Sequence, residues 1–163
     1  MTSLRVLLAA ASLFVSAGAA LADQVSHDYE DLRGRLVNDD VISLDITHIP
    51  YSYIFTEAIT AAQIRGWTGY RCSIDITPDL NKSLLAAVND AHFVAIEGHW
   101  DLRWVVQVKI KDRASPMMIY LNGRTFIGAG QRGVLNDAPM ALTRSLSVWL
   151  ERTAGNLCPD LKI

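Results

Sequence analysis

From Val94 to Ile110 every even position except Gly98 is large and apolar, namely Val94, Ile96, Trp100, Leu102, Trp104, Val106, Val108 and Ile110. Apart from Ala95 and Val105, the odd positions carry Glu97, His99, Asp101, Arg103, Gln107, Lys109 and Lys111. A period of two puts one set of side chains in a core and the other in water, so this segment predicts extended chain with one buried and one wet face. A strand of that length is atypical, and Gly98 marks the expected bend or break.

Similar patterning places the other elements. Ile42, Leu44 and Ile46 alternate with Ser43, Asp45 and Thr47, predicting a strand over 41–49 that Pro50 interrupts. Tyr70, Cys72, Ile74 and Ile76 do the same over 70–76 and turn Cys72 toward the core. Thr77-Pro78 has the form of a helix start, and Leu80, Leu84, Ala87, Val88 and Ala91 supply its buried stripe. Val25, Tyr29, Leu32 and Leu36 predict an amphipathic helix over 25–38. Residues 51–57 fit a helix face and a strand equally. Thr60 and Gln63 form a capping box that starts a short helix near residue 61 and leaves 51–57 extended.

Asn122-Gly123, between Met117–Leu121 and Thr125–Gly128, predicts a tight hairpin. A glycine-rich loop is expected from Gly128 to Asp137. A closing helix is expected from Ala138-Pro139, with Leu142, Leu146, Trp149 and Leu150 on one face and its end before Gly155. Consecutive strands joined by hairpins, with helices around them, define the α+β class: an antiparallel or mixed sheet with helices packed mainly on one face.

From Ser115-Pro116 through Met117–Gly123, a second short strand, a glycine and a terminal helix, the chain resembles the closing half of a thioredoxin-type fold. Redox members of that family carry a Cys-x-x-Cys at a helix start. This chain has no such pair, so the resemblance implies topology without the chemistry.

The first residues set an address. One positive charge at Arg5, an apolar run from Val6 to Val15 and a small-residue end, Ala20-Leu21-Ala22, are the three zones of a signal peptide. Residues 1–22 are expected to be removed after Ala22, and residues 23–163 to form a single domain in the periplasm or outside the cell. The apolar run is shorter than the roughly 20 residues that span a bilayer, so no membrane span is expected after cleavage. In an oxidising compartment Cys72 and Cys158 are expected to pair as one disulfide. The formal net charge of −2, without a Lys/Arg cluster, offers no footprint for nucleic acid.

Glu97, His99, Asp101 and Arg103 are the sharpest candidates for a site, because alternate strand positions project them in a row. Such a row can bind a metal, perform acid–base work or grip a charged partner, although it is equally the charged solvent face of a sheet. Gly128-Ala129-Gly130-Gln131-Arg132-Gly133 matches G-x-G-x-x-G, but Asn136, Asp137 and Pro139 delay any helix, so no dinucleotide is expected there. No nucleophile elbow, zinc-protease helix or phosphate loop is present in the sequence, and no catalytic residue, metal or cofactor is assigned. Tyr51 and Tyr53, beside Pro50, are the aromatics expected at an exposed recognition patch.

These features favour a small exported binding protein that recognises another envelope or secreted protein. Two alternatives stand beside it. One is a periplasmic hydrolase or metal-assisted enzyme using Glu97, His99 and Asp101; the other is a structural subunit of an envelope or secretion assembly.

Overall fold

A computed structural model of the chain contains an antiparallel sheet with three helices on one face and a short one on the other. It describes residue 20 and residues 22–95, 101–122 and 131–161. The elements run α1 (22–37), β1 (Val41–His48), α2 (Ala61–Arg65), β2 (Arg71–Asp75), α3 (Pro78–Asn89), β3 (Val94–Ala95), β4 (Leu102–Ile110), β5 (Met117–Asn122), β6 (Gln131–Leu135), β7 (Ala138–Leu142) and α4 (Ser145–Leu157). The strands form one antiparallel sheet in the order β2-β1-β4-β5-β6-β7-β3. The fold is therefore α+β, closed by a Cys72–Cys158 disulfide with Cα atoms 5.9 Å apart. That bridge ties edge strand β2 to the end of α4, as the cysteine pair implied.

Two helices start at local caps, and a third is fixed by tertiary bonds. Thr77 accepts a hydrogen bond from the Leu80 backbone N–H at the start of α3, and Pro78 occupies the first turn, where a missing N–H costs nothing. The α2 cap is the expected box: the Thr60 side chain accepts from the Gln63 N–H, while the Gln63 side chain accepts from the Thr60 N–H. At the start of α4, Ser145 Oγ donates to the Ala87 carbonyl at 3.1 Å and Thr143 Oγ1 donates to the Asp90 carbonyl. Two hydroxyls thus weld the beginning of α4 to the end of α3.

The larger core lies on the sheet face that carries α1, α3 and α4. Val25, Leu32 and Leu36 from α1, Leu84 and Val88 from α3, and Leu146, Leu150 and Ala154 from α4 meet Leu44, Ile46, Trp104, Val106, Val108, Ile119, Leu121 and Met140 there. A second, smaller core occupies the opposite face, where Ile49, Ile59, Ile64, Leu102, Val105 and Tyr120 pack together. The helix α2 and the segment before it therefore cover part of the face that alternation assigned to water.

Four expectations are corrected. The phase from Val94 to Ile110 is not continuous: β3 pairs with β7 at one edge of the sheet, whereas β4 lies between β1 and β5. A register shift between Leu102 and Trp104 also turns Leu102 to the second core, so strict alternation holds only from Trp104 onward. The expected break at Gly98 lies outside the described residues.

The tight hairpin at Asn122-Gly123 is excluded by register, because Leu121 pairs with Gly133 and so leaves a long connection after β5. Residues 123–130, including the expected strand Thr125–Gly128, lie outside the described residues. The two-residue turn is instead Asn136-Asp137, closed by the Leu135–Ala138 pair, with Asn136 at φ 50°. The expected glycine-rich loop is thus partly strand β6.

Third, Ala138–Leu142 is a strand, and α4 starts at Ser145 and runs through Gly155. Ala138, Met140 and Leu142 point to the main core with a period of two, which the helical spacing of Leu142, Leu146 and Leu150 masked. Pro139 is tolerated because it opposes Val134, one step beyond the pair that closes the turn. Its missing N–H faces away from β6, where no ladder bond is lost. Finally, three antiparallel strands, β5, β6 and β7, lie between Ser115 and α4, where the resemblance to a thioredoxin-type fold implied two.

Candidate functional site

Arg103 stands at the register shift that opens β4, and its surroundings set the geometry of the whole second face. Only 8% of it is exposed. A charge that deep must be paired and hydrogen-bonded or it destabilises the fold. Its Nε and Nη2 both reach Asp101 Oδ2 at 2.8 Å, and Nη1 donates to the Tyr53 carbonyl at 2.9 Å. The guanidinium also lies over the Phe55 ring, 5.1 Å from its centroid. Asp101 uses its other oxygen, Oδ1, to accept from the Ile59 N–H at 3.0 Å. Both carboxylate oxygens are thereby committed to holding one segment.

That segment is the loop from Ile49 to Thr60. Its two ends are hydrogen-bonded to adjacent residues of β4: the Ile49 N–H donates to the Arg103 carbonyl at 2.8 Å, and the Leu102 N–H donates to the Ile59 carbonyl at 3.0 Å. Ile49 and Ile59 are buried at those ends. Between them the chain turns, with the Tyr53 N–H donating to the Pro50 carbonyl at 3.0 Å. The tip is apolar and open: Ile54 is 93% exposed, Tyr53 41% and Phe55 39%. Trp67 supports it from behind, its ring edge-on to Tyr53 at 5.5 Å and to Phe55 at 6.4 Å. Hydrogen bonding to Tyr70 holds the Tyr53 phenol above its ordinary range.

The candidates named from sequence divide as follows. Tyr53 sits at the tip. Tyr51 sits behind it, its hydroxyl accepting from Trp104 Nε1 at 3.4 Å and its ring edge-on to His48 at 5.5 Å. Asp101 and Arg103 are brought together, but as the mount of the loop and not as an open row on a wet face. Glu97 and His99 lie outside the described residues. Ile54, Phe55 and Trp67 were missed by the sequence reading. The available signal was Tyr51–Phe55, a largely apolar run that fits a helix face and a strand equally and is therefore assigned to no one core face.

Elsewhere on the same face Asp45, Thr47, Arg71, Ser73 and Gln107 line a shallow depression of about 230 Å³ between β1 and β2. Asp45 accepts from Ser73 Oγ at 2.6 Å and pairs with Lys109 Nζ at 2.8 Å. Burial alone would raise the Asp45 carboxyl, but the hydrogen bonds from Lys109 and Ser73 and the Lys109 charge hold it below the usual range. Among the described residues no three His, Cys, Asp or Glu side chains are grouped to hold a metal. None of their helices is long and apolar enough to cross a membrane.

Comparison with protein-family models, with curated proteins and with solved structures finds no match for this chain.

Proposed function

We propose that this protein is an exported, non-enzymatic binding module that recognises another envelope or secreted protein through the loop tip Tyr53-Ile54-Phe55. One observation carries the reading. Three consecutive large apolar side chains face solvent on a loop whose backbone is fixed by a buried arginine and a carboxylate. An exposed apolar cluster costs solubility, and pinning it raises its worth as a contact, because less freedom is lost on binding. Aromatic side chains at such a position supply contact area with few rotatable bonds.

Export is supported by the three N-terminal zones of residues 1–22 and by the disulfide, which belongs to oxidising compartments. The test is a photo-cross-linking amino acid placed at position 54, with a control at the exposed position 37, in protein expressed in its own host. The reading expects one discrete adduct with an envelope or secreted protein from position 54 and none from position 37. It also expects that adduct to disappear when Phe55→Ser is added, with the fold retained by circular dichroism. Equal, diffuse labelling from both positions would remove the loop from consideration.

A further inference from the structure

Strand β2 closes one end of the sheet, and its outer edge has no strand beside it among the described residues. The direction of each backbone group on it follows from the pairing with β1. The His48 N–H donates to the Tyr70 carbonyl and the Ile76 N–H donates to the Ile42 carbonyl, so the even-numbered residues 70–76 turn their polar groups inward. Arg71, Ser73 and Asp75 therefore direct their N–H and C=O groups outward, as a template for another strand.

The side chains of those same three residues make that template selective. If a second β2 approaches antiparallel about a two-fold axis at Ser73, Ser73 opposes Ser73 of the other copy. Arg71 then opposes Asp75, and Asp75 opposes Arg71. Each of the two opposed ends carries opposite charges, and the small serine sits where identical residues must meet. Arg71 and Asp75 are exposed. The Arg71 guanidinium is already steered by the Trp67 carbonyl, to which Nε donates at 3.0 Å and Nη2 also donates, leaving Nη1 open among the described residues. Ser73 turns its hydroxyl to Asp45 of its own sheet, out of the way of a facing copy.

We propose that two copies of this chain associate edge to edge through β2, joining their sheets into one continuous antiparallel sheet across a two-fold axis. The proposal does not depend on the apolar loop at residues 53–55. Charged residues on an edge strand are commonly a deterrent to pairing. Here the order basic, serine, acidic deters a parallel neighbour and matches an antiparallel copy of itself. A strand of five residues makes a small contact, so the dimer is a weak one with a dissociation constant on the order of micromolar to tens of micromolar.

Sedimentation velocity of the disulfide-intact protein from about 1 μM to 1 mM reads this directly. The expected result is a concentration-dependent shift from monomer to dimer. Arg71→Asp or Asp75→Arg, each placing like charges opposite one another, raises the dissociation constant about tenfold or more, and the double exchange R71D/D75R restores it to within about threefold. Amide exchange at Ser73, slowed with rising protein concentration in the wild type, gives a second readout that needs no variant. A wild type that stays monomeric at all concentrations with concentration-independent exchange at Ser73, or a double exchange no better than the singles, overturns the proposal.

Discussion

A β-carbon at position 133 would stand 1.9 Å from the Tyr120 carbonyl oxygen and 3.3 Å from the Leu121 Cα. No rotamer relieves such a clash, because the obstruction is backbone on the neighbouring strand. Gly133→Ala therefore has to spread β5 from β6, and we expect a loss of about 2–4 kcal/mol in denaturant unfolding. A loss under about 0.5 kcal/mol would mean the strands do not approach as described. Asp45 supplies a test with a sign in pH. Its carboxyl is held below the usual range, so its contribution is fully present above about pH 4 and fades as pH falls through the lowered value. Because Asp45 is partly solvated, Asp45→Asn should cost less than about 1 kcal/mol at pH 7, and the gap should close in acid. A gap that widened toward low pH would contradict the pairing with Lys109 and Ser73.

At the scale of elements, the loop 49–60 depends on Arg103 more than on any contact between its own residues. Arg103→Met keeps the volume but strands the Tyr53 carbonyl and removes the partner of Asp101. We expect about 1–3 kcal/mol of destabilisation and new cleavage between residues 50 and 60 in limited proteolysis. Unchanged resistance would show that the loop is held some other way. Elements whose signals were local and redundant were legible in the sequence: the Thr77-Pro78 start of α3, the Thr60/Gln63 box of α2 and the spans of β1 and β2 occur where their residues predict, although the β1 alternation fails at its start, where a register shift between Val41 and Ser43 buries Val41 and leaves Ile42 53% exposed. Those read from a single cue were not. Pro139 reads as a helix start, yet its register against Val134 fits a strand. Asn122-Gly123 has the residues of a tight turn, but the partner strand begins at Gln131 and the turn falls at Asn136-Asp137. Arg103 occupies a position that alternation gives to water. Only the return of residues 49–60 over that face, a non-local event, buries it and turns a candidate contact residue into a mount.

For the whole molecule, the covalent link acts at the greatest distance. The Cys72–Cys158 bridge closes a separation of 86 residues, joining the exposed edge of the sheet to the end of the last helix. In the chain-entropy account a closed loop of that size contributes about 4–5 kcal/mol, comparable with the net stability of a small domain. The double substitution Cys72→Ala/Cys158→Ala should lower the denaturation midpoint accordingly, with the loss read at equal protein concentration so that self-association does not enter. The two proposed contact surfaces then follow from the same plan. The second face presents an apolar tip on a fixed loop, and the β2 edge presents a self-complementary row of charges.

The claim underlying this account is that the loop bearing Tyr53, Ile54 and Phe55 is held in one conformation before any partner arrives. Residue-resolved amide exchange at Ile59, whose N–H donates to Asp101, addresses it most directly. The account predicts that Ile59 exchanges within about tenfold of Leu102, whose N–H is bonded to the Ile59 carbonyl at the start of β4. Exchange at Ile59 as fast as in an unstructured peptide, while Leu102 and the rest of β4 remain protected, would contradict it.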